Sequence, residues 1–387
     1  MRILLLTSFD LFPPVHGGST IAYNFIKHAT TRHQVVAVLP RLYSQGGPVD
    51  LEGPNAQFHY CQASTFDNLR VFSFFINPHY YRLADRLCRR TQPDVIQCET
   101  LWPVLVGLYL RRRYGVPVLC VEYNVEGDKF ADLGRPWPVV AAVRAVERFA
   151  CRHADAVITV SDPDRQKLVH QYGQATHVHT IRPSPDSDFQ FDEHGRAAVR
   201  RRLGLAEDAP LLAFVGNLQY EPNQAAVRYI ADGLYPAVMG RHPAARFLIV
   251  GQRPELVAES RRPHIIFTGY LSRQDLVAHL SAADIVLVPV HVGSGIRVKI
   301  PEATACARVV VTTRKAATGL EMFTDREIVR VDAVGPAFAA AVLDLMDNPE
   351  RRRDMGQRAR ERTQIEFGWD RALVSYEEVY AGIGALA

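Results

Sequence analysis

Short apolar runs alternate with helix-patterned stretches along nearly the whole chain, and they do so in two separate series. In the first series the candidate strands are Ile3–Leu6, Gln34–Leu39, Val95–Gln97, Val116–Glu122 and Ala156–Val160. Between them, Ile21–His28, Tyr80–Arg90, Leu105–Arg113 and Val139–Arg152 place apolar residues at helical spacing. Val160-Ser161-Asp162 followed by Pro163 reads as a helix start, with Ser or Asp as cap and proline in the first turn. Strand–helix alternation of this kind implies a parallel sheet covered by helices.

The pattern lapses at residues 181–192, "IRPSPDSDFQFD", which holds two prolines and no periodicity and reads as an interdomain linker. A second series follows. Its strands are Leu211–Val215, Arg246–Val250, Ile265–Thr268, Ile285–Pro289, Val309–Thr313 and Glu327–Val331. Its helices are Ala225–His242, Arg273–Ala282, Pro301–Ala307 and Gly335–Asp347. The chain closes on an amphipathic stretch, Phe367–Tyr380, with Trp369, Leu373, Tyr376 and Tyr380 on one side. A chain of 387 residues exceeds what one hydrophobic core usually carries. The expected fold class is therefore α/β: two Rossmann-like doubly wound domains, residues 1–180 and 193–366, facing across a cleft.

Composition narrows the function classes. A formal charge of +4 is too small for a general nucleic-acid binder, and local basic clusters are expected instead. Six cysteines lie at least ten residues apart without a CxxC pair, which fits free thiols and argues against structural zinc. The apolar stretch at Met1–Leu6 is far shorter than a signal h-region, and no run approaches the ~20 residues that span a bilayer. A cytoplasmic or peripheral location is expected.

Two glycine loops follow strand ends, where doubly wound sheets bind ligands. In "FPPVHGGSTIAYNF", residues 12–25, Gly17-Gly18 open a helix whose unpaired N–H groups suit a phosphate. A tight turn that merely needs φ > 0 explains the same glycines. The second loop lies in "HVGSGIRVKIPEATACARVVVTT", residues 291–313. Here Gly293-Ser294-Gly295 precede two cations, Arg297 and Lys299, and one acid, Glu302. A carboxylate at that point can accept two hydroxyls of a ribose, and the cations can neutralise a diphosphate. Equally, Glu302 can be a first-turn acid complementing a helix dipole, with both cations on a solvated face.

Several segments, in order, resemble the GT-B glycosyltransferases of the group 1, GT4-like, retaining family. "HADAVITVSDPDRQKL" (153–168) is similar to the family's last N-domain strand and helix. "LLAFVGNLQYEPNQAAVRYI" (211–230) resembles the start of its C-domain. "IIFTGYLSRQDLVAHLSAADIVLVPVHVGSGIRVKIPEATA" (265–305) resembles its donor-binding block. "FGWDRALVSYEEVY" (367–380) looks like the closing helix that crosses back to the N-domain. The resemblance covers essentially the whole chain. It implies transfer of a sugar from a nucleoside diphosphate donor to an acceptor hydroxyl with retention, without metal or cofactor, in glycan, glycolipid or metabolite glycosylation.

Residue by residue, the resemblance implies that Glu302 binds the ribose. Backbone amides of Gly295, Ile296 and Arg297 would approach sugar and phosphates, and Gly269-Tyr270-Leu271 would border the base. Gly216-Asn217 would face the donor, and Gly17-Gly18 would meet the diphosphate from the other domain. Three positions depart from the family pattern. Ser294 stands where the first of two glutamates is usual. Asn217 and Pro222 stand where an arginine and a lysine often hold the diphosphate, so Arg297 and Lys299 become the replacement cations. Glu99, in "DVIQCETLW", occupies the strand end expected to carry a histidine beside the sugar, and is read as the polar group nearest the reacting centre.

Other features divide between function and plain structure. Asn124 and Glu126, in "EYNVEGDKF", can face an acceptor or simply end a strand. The aromatic stretch 71–83, near Arg82, Arg86, Arg89 and Arg90, suits a lipid-linked acceptor or membrane contact through the N-domain, or core packing. Asp186-Ser187-Asp188 imitates a metal-binding DxD, but no apolar strand leads into it, and no metal site is expected. A non-catalytic nucleotide-sugar binder and another GT-B activity, such as an epimerase, remain as rival functions.

Overall fold

The computed structural model describes residues 1–40, 51, 53–61, 77–173, 177–206, 209–292 and 295–385. The chain divides into two compact units. One comprises Met1–Pro183, Gly293–Gly295 and Trp369–Ala387; the other comprises Ser184–Val292 and Ile296–Gly368.

The first unit holds a parallel sheet of seven strands: β1 (Arg2–Thr7), β2 (Gln34–Pro40), β3 (Ala56–Cys61), β4 (Val95–Glu99), β5 (Val118–Glu122), β6 (Ala156–Thr159) and β7 (Val178–Thr180). Their order is β3-β2-β1-β4-β5-β6-β7, so the winding reverses between β1 and β4. Those two pair in parallel with Thr7 opposite Glu99. The central strands are buried on both faces, which is why Leu4, Leu5 and Leu6 run consecutively without a polar break. Ser161 caps helix Asp162–Tyr172, accepting the amide of Asp164.

The second unit has six parallel strands: β8 (Leu211–Val215), β9 (Arg246–Val250), β10 (Ile265–Gly269), β11 (Ile285–Val288), β12 (Val309–Thr313) and β13 (Ile328–Val331). Their order, β10-β9-β8-β11-β12-β13, reverses between β8 and β11. Both units are therefore doubly wound α/β sheets, as the alternation implies.

Several elements differ from the sequence expectation. Strands β3 and β7 and helices Glu126–Asp132, Glu193–Arg202 and Pro349–Glu366 are additional. The expected helix Ala225–His242 is three pieces: Glu221–Tyr229, a π-helical turn Ile230–Leu234, and Tyr235–Arg241. Within the turn the Tyr229 ring lies over Gly233, where a Cβ would come within 2.7 Å of it. The segment read as a linker is not a free connection: residues from Ser184 on count with the second unit. There Ser184 Oγ accepts the Gly368 amide at 2.8 Å, Asp186 pairs with Arg273, and Asp192 caps helix Glu193–Arg202. That helix is anchored by a buried arginine, Arg200, which reaches Asp284 and three backbone carbonyls.

The C-terminal helix, Trp369–Gly382, belongs to the first unit. It buries Trp369, Leu373, Tyr376 and Tyr380, the four residues whose spacing marks one face. Tyr376 packs on Phe25 with ring centroids 4.8 Å apart, and Trp369 stacks on His28.

Candidate functional site

In each unit the candidate residues lie beyond the carboxyl ends of the strands, most of them where the winding reverses, the place where such sheets open a crevice. The second unit carries the larger group. Loop 216–220 leaves β8, and the segment leading to helix Lys299–Ala305 leaves β11. Gly295 has φ 78°, a left-handed conformation that glycine adopts without a Cβ penalty, and Ile296 behind it is buried. Ser294 lies outside the described residues.

Neither cation lies on a solvated face. Arg297 folds back to donate to the Val292 carbonyl at 2.8 Å. Lys299 points its ammonium to the loop after β8: Nζ donates to Asn223 Oδ1 at 3.1 Å and stands 4.5 Å from the Phe214 ring centroid. Asn223 in turn donates to the Asn217 carbonyl at 2.8 Å. Gly216 makes room for this amide, since a Cβ there would stand 2.8 Å from it. Lys299 thus reaches the loop that carries Asn217 and Pro222 from another strand's connection. Burial first, and the neighbouring Arg297 after it, lower the Lys299 pKa to about 7 against the opposing pull of Glu302.

Glu302 sits on helix Lys299–Ala305 and is 6% exposed. Its carboxylate makes no side-chain hydrogen bond among the described residues. Burial raises its pKa to about 7; Arg273 and Lys299 oppose that rise, and Asp186 adds to it. A first-turn acid on a solvated surface has neither property. Gly269, Tyr270 and Leu271 follow β10; Gly269 has φ 73°, and Tyr270 is 48% exposed. Arg273 begins the next helix and pairs with Asp186, so the first acid of the DxD look-alike is committed to an arginine. Among the described residues no group of three or more His, Cys, Asp or Glu side chains is placed to hold a metal ion.

In the first unit, Gly17 and Gly18 begin helix Gly17–Ala29 behind an N-cap formed by His16, whose Nδ1 accepts the Ser19 amide at 3.1 Å. Gly18 lies against Tyr123; a Cβ there would stand 3.2 Å from that ring. The expectation for Glu99 needs correction. It does end β4, but it is 1% exposed, and both oxygens are taken internally. Oε1 accepts Gln97 Nε2 at 2.5 Å, and Oε2 accepts the Tyr123 hydroxyl. Gln97 itself accepts the Tyr380 hydroxyl at 2.5 Å. Burial raises Glu99 to about 7 against the opposing pull of these bonds. Glu99 therefore orients Tyr123 instead of facing a ligand.

Glu126 is corrected in the same way. It is 2% exposed, starts helix Glu126–Asp132 and is paired with Lys129 at 3.1 Å. Asn124, only partly buried, donates to it at 3.2 Å. Of the two, Asn124 is the one left partly open. The aromatic stretch falls largely outside the described residues; from Asn77 on it is the start of helix Pro78–Thr91, where Tyr80 is core. Sequence reasoning missed Asn223, Arg273 and Tyr123, and read Asp186 only as part of a DxD look-alike. Their partners lie 24 to 87 residues away, so no local pattern carries them.

Comparison with known proteins agrees with this arrangement. Residues 17–184 match a family model described as a glycosyl transferase 4-like domain, and residues 209–348 match one for glycosyl transferases group 1. The chain is 30% identical to a D-inositol 3-phosphate glycosyltransferase of Kribbella flavida, over 72% of this chain and 68% of the relative. Among solved structures, a sucrose-phosphate synthase from Thermosynechococcus elongatus superposes with a TM-score of 0.83 at 19% identity, covering 100% of both chains. Anabaena HepE in complex with UDP-glucose superposes at 0.75 with 15% identity, again covering 100% of both. Two doubly wound sheets with their polar residues at the strand-reversal points, and family matches spanning both, lead to one conclusion: the chain is an α/β glycosyltransferase of the GT-B fold and belongs to the group 1, GT4-like family.

Proposed function

We propose that this glycosyltransferase takes its sugar from a nucleoside diphosphate donor and passes it to an acceptor hydroxyl with retention and without a metal ion. The observation that carries the reading is Glu302: a buried carboxylate without a side-chain hydrogen bond among the described residues, beside Lys299 and Arg297. Two vicinal hydroxyls are the groups that a bare, desolvated carboxylate accepts best, and a ribose offers them. Lys299 and Arg297 then stabilise the leaving diphosphate, and preorganised charge of this kind is usually the largest catalytic contribution. Asn124, partly buried, is the polar group of the first unit assigned to the acceptor.

Glu302→Gln tests the donor reading. Protonation removes the anion that accepts the hydroxyls, so the contribution of Glu302 is present above about pH 7 and fades as pH falls through that value. At pH 8 the substitution is expected to weaken nucleoside diphosphate binding by roughly 1.5–3 kcal/mol, the range for a charge-assisted hydrogen bond. Calorimetric titration after a thermal-shift screen of UDP, GDP, ADP and dTDP measures it. Equal affinity in the variant would make Glu302 a structural acid. Release of nucleoside diphosphate from the matching sugar donor, with an acceptor present, separates transfer from mere binding.

We infer further that the first unit meets an anionic lipid surface. Helices Pro78–Thr91, Val104–Tyr114 and Trp137–His153 form adjacent layers carrying ten arginines against two acids, Asp85 and Glu147. Their excess of cations is larger than the formal +4 of the whole chain. Trp137 is 79% exposed at the start of the last helix, and Phe149 and Tyr109 are also exposed. No described helix is long and apolar enough to cross a membrane. Binding to vesicles containing phosphatidylserine is expected to exceed binding to phosphatidylcholine vesicles at least tenfold, at ~1 kcal/mol per surface cation. Replacing Arg148 and Arg152 by Ser should reduce it. Equal sedimentation with both lipids would remove this partner.

A further inference from the structure

On the donor reading above, on which this step depends, we propose that Asn223 is a positioning residue. It fixes the Lys299 ammonium at the loop after β8 without cancelling its charge, which leaves that charge for the donor diphosphate. Asn223 lies in the first turn of helix Glu221–Tyr229 and is 8% exposed. Its amide is engaged at both ends: Oδ1 accepts Lys299 Nζ at 3.1 Å, and Nδ2 donates to the Asn217 carbonyl at 2.8 Å. An ammonium only donates and a carbonyl only accepts, so one orientation of the amide serves both. A carboxylate in its place would repel the carbonyl and neutralise the lysine.

The surroundings hold the amide in place. Gly216 packs against it, where a Cβ would come within 2.8 Å, and the Gly216 carbonyl leaves no room for a Cβ at Gly251. The Gly216 amide donates to the Val250 carbonyl at 2.9 Å, so the loop cannot recede from the Asn223 side chain. On the lysine side, Nζ lies 4.5 Å from the Phe214 ring centroid. Among the described residues no carboxylate pairs with Lys299, and no second acceptor takes its remaining protons. A partly buried ammonium between an amide oxygen and an aromatic face keeps two donors for an anion. The charges that act on it are Arg297, which disfavours the ammonium, and Glu302, which favours it. From other elements, β12 brings valines and threonines, and helix Pro349–Glu366 meets the Lys299 helix through Thr363 on Thr304. Glu221, at the start of the Asn223 helix, is exposed.

The test measures the diphosphate-minus-nucleoside difference in binding free energy from pH 5.5 to 8.5. The probes are UDP and uridine, or the guanine or adenine pair if its diphosphate binds more tightly; the ribose contact is common to both ligands. The chains are wild type, Asn223→Ala, Asn223→Asp, Gly216→Ala, Lys299→Met and Asn223→Ala/Lys299→Met. Asn223→Ala should weaken diphosphate binding about tenfold near neutral pH. The pH at which Lys299-dependent affinity fades, about 7 in wild type, should move down, because the ammonium loses a hydrogen bond to its charged form. Asn223→Asp should move that midpoint up, since an opposite charge at contact favours the ammonium, and should weaken binding below it, where the pair is neutral. Gly216→Ala keeps Asn223 but displaces its amide, and should resemble Asn223→Ala. In the Lys299→Met chain, Asn223→Ala should cost less than about twofold more. Wild type that binds none of the three diphosphates sinks the donor reading, and this inference with it. A Lys299→Met chain with wild-type diphosphate affinity removes the lysine from the donor site, with the same consequence for Asn223. With Lys299→Met weakened, an Asn223→Ala profile superposed on wild type overturns the inference alone. So does an equal loss from Asn223→Ala in both backgrounds, which makes Asn223 a tie for the loop only. Should Asn223→Ala fail to fold, the nearly isosteric Asn223→Asp decides: an upward midpoint upholds the role, and an unmoved one refutes it.

Discussion

Removal of residues 369–387 is expected to abolish the cooperative folding of the first unit. The helix Trp369–Gly382 buries Trp369, Leu373, Tyr376, Val379 and Tyr380 against that unit. Fully burying a large apolar side chain contributes about 1.5–3 kcal/mol, so five of them rival the ~5–15 kcal/mol that holds a typical domain together. Polar bonds add to the loss. Tyr380 leaves Gln97 without its donor, and Gln97 supports Glu99. Glu377 leaves His33, which it meets at 3.0 Å. The truncated chain should therefore lose a calorimetric transition or aggregate, and its Tyr123 should lose the orientation that Glu99 imposes. A truncated chain with the melting profile of the full one would show that the helix adds nothing to the fold.

Replacing both Arg297 and Lys299 by Met should weaken nucleoside diphosphate binding by a factor on the order of 10²–10⁴, at ~1.5–3 kcal/mol per charge-assisted contact. The two side chains are neighbours, so their single losses need not add. The bare nucleoside should be nearly unaffected, which makes the diphosphate-minus-nucleoside difference in binding free energy the deciding quantity. An unchanged difference would mean that other groups hold the phosphates. The pH dependence carries a second signature. Lys299 has its pKa lowered to about 7, so its ammonium is present below that value and lost above it. A bound diphosphate favours the protonated form. Affinity due to Lys299 should therefore fall as pH rises past about 7, and binding near neutral pH should take up protons. Titration of the Glu302→Gln chain in buffers of different ionisation enthalpy reads this uptake without the opposing proton release from Glu302. Lys299→Met should eliminate it.

Much of the fold was legible because burial leaves a local trace. Strands β8, β9 and β12 match their apolar runs residue for residue, since a parallel strand buried on both faces has no polar break. Edge strands have no such trace. β3, "AQFHYC", has an exposed and partly buried middle, and β7 has three residues, so neither forms a run. Helix Pro349–Glu366 was invisible for a related reason: its buried face is Met355, Gly356, Ala359 and Thr363, too small and too polar to give a pattern. Gly356 there packs on the Ala307 carbonyl, where a Cβ would come within 2.3 Å. The π-turn at Ile230–Leu234 interrupts the expected helix just before Pro236, the one proline within residues 225–242, which has no N–H to continue the ladder.

For the site, the sequence by itself determined the chemistry available: two glycine loops after strands, two cations and an acid in one short segment, and the absence of cations at 217 and 222. Tertiary structure alone decided what each group does. Lys299 reaches Asn223 across 76 residues because β8 and β11 are neighbours in the sheet, and Arg273 reaches Asp186 across 87 because helices Glu193–Arg202 and Arg273–Ala282 pack together. Glu99 reads as the strand-end polar group beside the reacting centre, yet Tyr123 and Gln97 close over it. Periodicity records which side of an element meets solvent, a property of consecutive residues. Desolvation and Coulomb interaction depend on distance in space, and so the charge state of Glu302 and Lys299 exists only once the chain has folded.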